Sequence, residues 1–202
     1  MKALSIATLL LCSSAAMAHY TLDYPPTRGL NEDNEPIAPC GGFATVGQRS
    51  QFPLSKGFVT INSGHVKAEI KINVAYGNNP SEADFTAAAS TPASSSSVNH
   101  PGSSCLPLDL SSFKGAADNT NATIQIVYNG GDSPLYQCAD VILVNSAPSF
   151  DQSKCVNDDG KTPSTTNPGA NPSNTPSAGA VLSVKNAFTA AAAMAMAAAL
   201  AF

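Results

Sequence analysis

Tryptophan is absent from the 202-residue chain, and charge is sparse: Asp, Glu, Lys and Arg make up 12% of it, with a formal net charge of −4. Phosphate backbones are gripped by clustered Lys and Arg. A mildly acidic chain without a basic run excludes nucleic acid as a partner. The missing Trp removes the broadest aromatic platform for a flat polymer and leaves Tyr20, Tyr24 and Tyr76 as weak substitutes. No C-x-x-C pair occurs, so a cysteine zinc site has no support in the spacing. The apolar run at 187–202 falls short of the roughly 20 residues that span a bilayer. Histidine is also scarce, with His19, His65 and His100 the only three.

What is present reads first as processing. Met1-Lys2, the apolar run "ALSIATLLLC" and "SSAAMA" follow the pattern of a secretory signal, with Ala16 and Ala18 as the small residues before the cut. Cleavage after Ala18 would expose His19 and discard Cys12. The opposite end carries small residues "SAGA" at 177–180, a short spacer and the uncharged tail "AFTAAAAMAMAAALAF", which is the pattern of a GPI-anchor signal. Attachment is expected at Ser177 or Gly179, with 179–202 removed and the protein left on the outer face of the plasma membrane or in the wall of a eukaryotic cell. Residues 158–178, rich in Pro, Ser, Thr, Asn and Gly, cannot bury enough apolar surface to offset their ordering entropy and read as a disordered, O-glycosylated stalk. One domain remains, residues 19–157.

Within that domain Cys40, Cys105, Cys138 and Cys155 form an even set, which in a secreted chain implies two disulfides. Four cysteines allow three connectivities, and spacing does not choose among them. Asn121-Ala122-Thr123 is the one N-glycosylation sequon. The periodicity is that of strands. Val66, Ala68, Ile70, Ile72 and Val74 alternate with Lys67, Glu69, Lys71 and Asn73, which predicts a half-buried strand. "NATIQIVYNGG" predicts a second, closed by a Gly-Gly turn. "LYQCADVILVNS" predicts a third, apolar on both parities and therefore central and covered on both faces. "NPSEADFTAAAS" predicts one short helix capped by Ser81, and "TPASSSSVNHPGSSC" a loop. Short strands separated by Pro, Gly and Asn turns predict an all-β antiparallel sandwich.

An N-terminal histidine offers a metal two nitrogens from one residue, the free α-amine and ring Nδ1. The amine titrates ordinarily at about 7.7–8.0, so the metal must displace a proton, and Cu(II) does this better than other first-row divalent ions. One further imidazole opposite completes a T-shaped plane of three nitrogens, a histidine brace. His65 is the better candidate for the second ligand, because it follows Gly64 at the mouth of the alternating strand, where loops and the N-terminus can meet; the residues alone equally describe an ordinary surface histidine capping a strand. His100, before Pro101 in a Ser-rich loop, reads as an ordinary surface histidine. Asp140 is a carboxylate in an otherwise apolar strand, costly unless paired or metal-bound. Oxygen ligation of Cu(II) is one reading; an ion pair to Arg28 or Arg49 and a strand-end carboxylate bonded to backbone amides are the others.

His19 at the cleavage point, "HYTLDYPPTRGLNEDNEPIAPCGGF", the "SGH" before the alternating strand and "YQCADVILV" together resemble the fungal GPI-anchored copper-binding proteins related to lytic polysaccharide monooxygenases. These relatives keep the histidine brace and the fold but lack polysaccharide-cleaving activity. The resemblance covers the whole domain. It implies an immunoglobulin-like β-sandwich, copper bound by His19, His65 and Asp140, and disulfides Cys40–Cys155 and Cys105–Cys138. It further implies a monomeric, non-catalytic protein that handles one Cu(II) per chain in copper acquisition or homeostasis, with a copper transporter or cell-wall glycan as further partner. A copper monooxygenase acting on wall glycans and a metal-free wall glycoprotein are the competing readings. The first requires an open copper position that a nearby carboxylate would restrict, and the second leaves the N-terminal histidine unexplained.

Overall fold

The alternation of 66–74 and the β-rich stretches 120–128 and 135–144 call for strands that share one interior. A computed structural model describes residues 19–161 and places them there. Eight strands form: β1 Tyr20–Tyr24, β2 Ser50–Pro53, β3 Gly57–Ser63, β4 Ala68–Tyr76, β5 Ser94–Val98, β6 Gly102–Leu108, β7 Thr120–Asn129 and β8 Leu135–Val144. They make a three-stranded sheet ordered β1-β3-β6 and a five-stranded sheet ordered β2-β8-β7-β4-β5. The inner faces meet over Ile61, Ile70, Ile72, Ile124, Ile126 and Leu143, each essentially sealed from solvent. Burying one such side chain contributes roughly 1.5–3 kcal/mol. The architecture is the expected immunoglobulin-like sandwich, antiparallel except at one edge, where β2 runs parallel to β8.

β8 lies between β2 and β7 and is covered on both faces, as its double apolar parity requires. Its inner residues Ala139, Val141 and Leu143 enter the core. Its outer residues Cys138 and Asp140 lie beneath the β1–β2 connection, which is fastened to them through Cys40, Arg28 and Gly47. The helix α1, Glu82–Ala89, starts at Ser81 in a capping box with Asp84. It buries Phe85 beside Cys40, Cys138 and Ala75.

Two expectations need correction. The Ser-rich stretch is not a loop: it supplies β5 and β6, which pair with β4 and β3. Val98, Leu106 and Leu108 are their buried anchors, and serine obscures the alternation between them. The disulfides are Cys40–Cys138 and Cys105–Cys155, not Cys40–Cys155 and Cys105–Cys138. The reason is the facing of β8. Cys138 points outward under the β1–β2 connection, away from the sheet that holds Cys105, whereas the chain after Cys155 runs along β6 through Asp158 N–H to Ser103 O, 2.9 Å, and Cys105 N–H to Asn157 Oδ1, 2.7 Å.

Peptide mapping without reduction is expected to recover only these two pairs. The Cys40–Cys138 bridge closes the longer loop, with a sequence separation of 98 against 50. Its removal as Cys40→Ser with Cys138→Ser is expected to lower unfolding free energy by about 3–5 kcal/mol in urea titration.

Candidate metal centre

Antiparallel pairing brings the start of β1 beside the end of β3. Tyr20 stands opposite Ser63, and Gly64 N–H donates to His19 O at 3.0 Å. His65, the next residue, therefore shares one end of the sandwich with His19. The approach is tight: a Cβ on Gly64 would stand 2.8 Å from that same carbonyl oxygen, so a side chain there would break the junction. Ser63 fixes the main chain of His65 twice, its Oγ donating to His65 O at 2.9 Å and accepting from His65 N–H at 3.2 Å. The same Oγ shares a 2.7 Å hydrogen bond with Tyr128 Oη. Tyr128 stacks on Tyr20, with ring centroids 4.7 Å apart and planes at 9°, and Tyr20 Oη donates to Ile126 O at 3.0 Å. Both histidines thus hang from one buried tyrosine pair.

A carboxylate stands beside His19, and it is Glu35. Its main-chain oxygen accepts from Tyr136 N–H at 2.8 Å, which pins it at the start of β8, at this same end. The side chain is 1% exposed. Oε1 accepts from Gln137 Nε2 at 2.7 Å, and Gln137 also donates to Tyr20 O and accepts from Leu22 N–H. Oε2 is buried without a hydrogen-bond partner and lies 3.9 Å from His19 Nε2. Buried polar atoms are nearly always satisfied, so this oxygen is an acceptor held open toward the histidine. Burial raises the Glu35 pKa; the Gln137 bond and His19 oppose that rise, and Glu32 adds to it. Glu32 itself approaches His19 Nδ1 at 4.0 Å from an exposed position.

Asp140 is not brought to the histidines. Thr123 pairs with Asp140 and Tyr128 with Leu135, so Asp140 lies five positions further along β8, at 3.4 Å per residue about 17 Å from the sheet end that holds the two histidines. Its oxygens are fully engaged: Oδ2 accepts from Arg28 Nε at 2.9 Å and Gly47 N–H at 2.7 Å, Oδ1 from Arg28 Nη2 and Thr123 Oγ1, both at 2.7 Å. The ion pair weighed as its alternative is the one formed, with Arg28. Burial raises its pKa, but the Arg28, Gly47 and Thr123 hydrogen bonds and the Arg28 charge outweigh that, leaving it below the ordinary 3.8.

His100 lies at the same end on the other flank of β3, since Gly102 pairs with Ser63. Its nitrogens face Pro101 O and Ser104 Oγ, at 3.0 and 3.3 Å. Asn121 lies half-buried on β7, its Nδ2 donating to Asn78 Oδ1 at 2.6 Å. The Thr123 hydroxyl of its sequon is buried against Asp140, so the sequon can be read only on the unfolded chain. Ser177 and Gly179 lie outside the described residues. Among the described residues, no group of three or more His, Cys, Asp or Glu side chains is gathered to hold a metal ion. A brace differs in drawing one nitrogen from the main chain, and the amine of His19 exists only once the Ala18–His19 bond is cut. Sequence reasoning missed Glu35. Its only signal was position, in the acidic run "NEDNEP" between the terminus and Cys40.

Comparison with known proteins agrees on the class of molecule. Residues 17–160 match the family model described as copper acquisition factor BIM1-like. The chain is 39% identical over 163 residues to copper acquisition factor BIM1 of Cryptococcus neoformans var. grubii, covering 78% of this chain and 74% of the relative. It is 29% identical to lytic polysaccharide monooxygenase-like protein X325 of Yarrowia lipolytica, covering 79% of this chain and 60% of that protein. An AA10 lytic polysaccharide monooxygenase from Streptomyces lividans superposes with a TM-score of 0.33 at 17% identity, over 54% of this chain and 65% of that one.

The Arg28–Asp140 pair has a measurable consequence. Asp140→Asn strands a buried guanidinium and is expected to lower stability by about 3–5 kcal/mol. It should leave copper affinity unchanged in titration calorimetry. Because the folded pKa is depressed, the contribution of Asp140 is complete above its unfolded value of about 3.9 and is lost as pH falls through the lower folded value. Urea titrations in that acid window should show the parent losing stability more steeply than Asp140→Asn.

Proposed function

We propose that this chain, which belongs to the BIM1-like copper acquisition factor family, captures one copper ion through the amine and ring of His19 and the ring of His65. Glu35, whose Oε2 lies 3.9 Å from His19 Nε2, the ring nitrogen that the chelate leaves free, is the outer carboxylate that orients the His19 ring. The observation that carries the reading is the pairing of Tyr20 with Ser63, continued by the Gly64–His19 hydrogen bond, which seats both histidines at one sheet end. Two imidazoles and an amine suit Cu(II) above the other first-row divalent ions. Membership of a copper acquisition family supports capture and hand-over of copper rather than oxidation of a glycan. The signal and anchor patterns of the sequence support capture at the outer cell surface.

Electron paramagnetic resonance and calorimetry on Cu(II)-loaded protein with an authentic His19 terminus test the ligand set. Retaining Met ahead of His19 should abolish tight binding, because the chelate ring cannot close. His65→Ala should weaken binding strongly and His100→Ala hardly at all. Glu35→Gln keeps the Gln137 contact within reach but removes the charge, and is expected to cost about 10- to 100-fold in affinity with an altered spectrum. Equal affinity with and without the extra Met would refute the brace.

Two further outcomes follow from the same reading. With reductant and peroxide, the copper-loaded protein should release no oxidised oligosaccharides from cellulose, chitin or β-glucan above a free-copper control. A phospholipase specific for GPI anchors should release the protein from intact cells, and retention with the 187–202 tail still detectable by mass spectrometry would refute the anchor.

A further inference from the structure

Beyond its end at Asn129, β7 turns toward β8 through Gly130 and Gly131. Only Gly131 takes a left-handed conformation, with φ of 114°. The backbone therefore asks for glycine at 131 but not at 130. What asks for it at 130 is the ring of His65. A Cβ built on Gly130 would stand 2.9 Å from His65 Nδ1, 3.1 Å from Cε1 and 3.3 Å from Cγ. The Nδ1 edge of the imidazole lies over the Gly130 backbone, in space that any side chain would fill. The main chain of His65 is already held by Ser63, so this contact is what orients the ring, with Nε2 on the open edge.

We propose that Gly130 is a positioning residue for copper capture: the absence of a side chain at 130 is the seat that aims the His65 imidazole. The proposal rests on the reading of His65 as a copper ligand. A methyl group at 130 disturbs the fold little, because the atoms it meets belong to a side chain that can swing aside. It disturbs the site strongly, because metal–nitrogen distances tolerate only about 0.2 Å and a supporting contact displaced by about 1 Å is enough to spoil a site. Cavity-lining and core glycines behave otherwise: a Cβ on Gly41 would meet the Tyr136 main-chain oxygen at 2.6 Å, which cannot move without moving β8.

The test uses the full chain processed to a free His19 amine, with Cu(II) alone as the probe. The parent is compared with Gly130→Ala, His65→Ala and Asp132→Ala, the last an exposed neighbour in the same turn. In Gly130→Ala the thermal midpoint should stay within about 2 °C of the parent. The His65 ring resonances of the metal-free protein should shift. The Kd for Cu(II) should rise at least about tenfold, with a changed electron paramagnetic resonance spectrum. Asp132→Ala should match the parent throughout. Parent-like resonances and affinity in Gly130→Ala overturn the seat. So does a large fall in its thermal midpoint, which would make the glycine a requirement of the fold instead. If His65→Ala binds Cu(II) as tightly as the parent, the copper-site reading is what fails. The seat then stands or falls on whether the metal-free ring resonances move.

Discussion

The stacked pair Tyr20–Tyr128 is the contact on which the metal-binding end of this molecule depends. It crosses between the two sheets, one ring from β1 and one from β7. Each hydroxyl is spent inside the fold, Tyr20 on Ile126 O and Tyr128 on Ser63 Oγ. Desolvation lifts the Tyr20 pKa well above 10.0, with the charge of Glu35 adding to it, so the hydroxyl stays a donor at any physiological pH. His19 is the residue before one tyrosine, and His65 is held by the serine that bonds the other. Their separation is therefore fixed by core packing and not by the surface loops that carry them. A stacked aromatic pair contributes about 0.5–1.5 kcal/mol beyond its buried area. Its larger effect here is geometric, since it ties both sheets at the one place where two ligands must meet.

Two buried carboxylates illustrate how the same fold uses one chemical group in opposite ways. Asp140 is surrounded by four donors and neutralised by Arg28. It fastens the β1–β2 connection to the outer face of β8, next to the Cys40–Cys138 bridge that does the same covalently. Glu35 belongs to the connection so fastened, and only its Oε1 is satisfied. Asp140 acts on the site at a distance: by anchoring the connection it helps keep Glu35 beside His19. Loss of Asp140 should appear first in stability, as buried ion pairs broken on one side do, and not in the identity of the metal ligands.

Much of the fold was legible because local pattern and final environment coincide. The alternation at 66–74, the double parity of 135–144 and the Ser81 cap each led to the element expected, although β4 runs over 68–76 and buries Asn73 on its outward parity. Pattern failed where few residues carry it. Val66 continues the apolar parity of β4 but lies outside the strand and is 70% exposed, and the serines of β5 and β6 carry no alternation to read. Of the proposed site, the structure brings together His19 and His65 at one sheet end, the two residues that an expected processing point and a strand mouth singled out. Glu35 and Asp140 could not be ranked, because period says which face a residue takes and not which loop will cover that face. The same limit defeated the disulfide pairing, which depends on Cys138 turning outward.

The arrangement divides labour between backbone and side chains in a way that makes the metal end adjustable. Everything that sets position is main chain or core: the Gly64–His19 junction, the Ser63 clasp, the tyrosine stack and the bare Gly130 backbone under the imidazole. What remains free is rotation of two rings, groups that need move only a little to close on an ion. A carrier that must release its cargo gains from this division. The frame keeps the ligands within reach when the ion is gone, and no rigid, fully satisfied cage has to be broken to let it leave. An enzyme holding a resident metal is under the opposite demand, for a site locked by packing and outer hydrogen bonds.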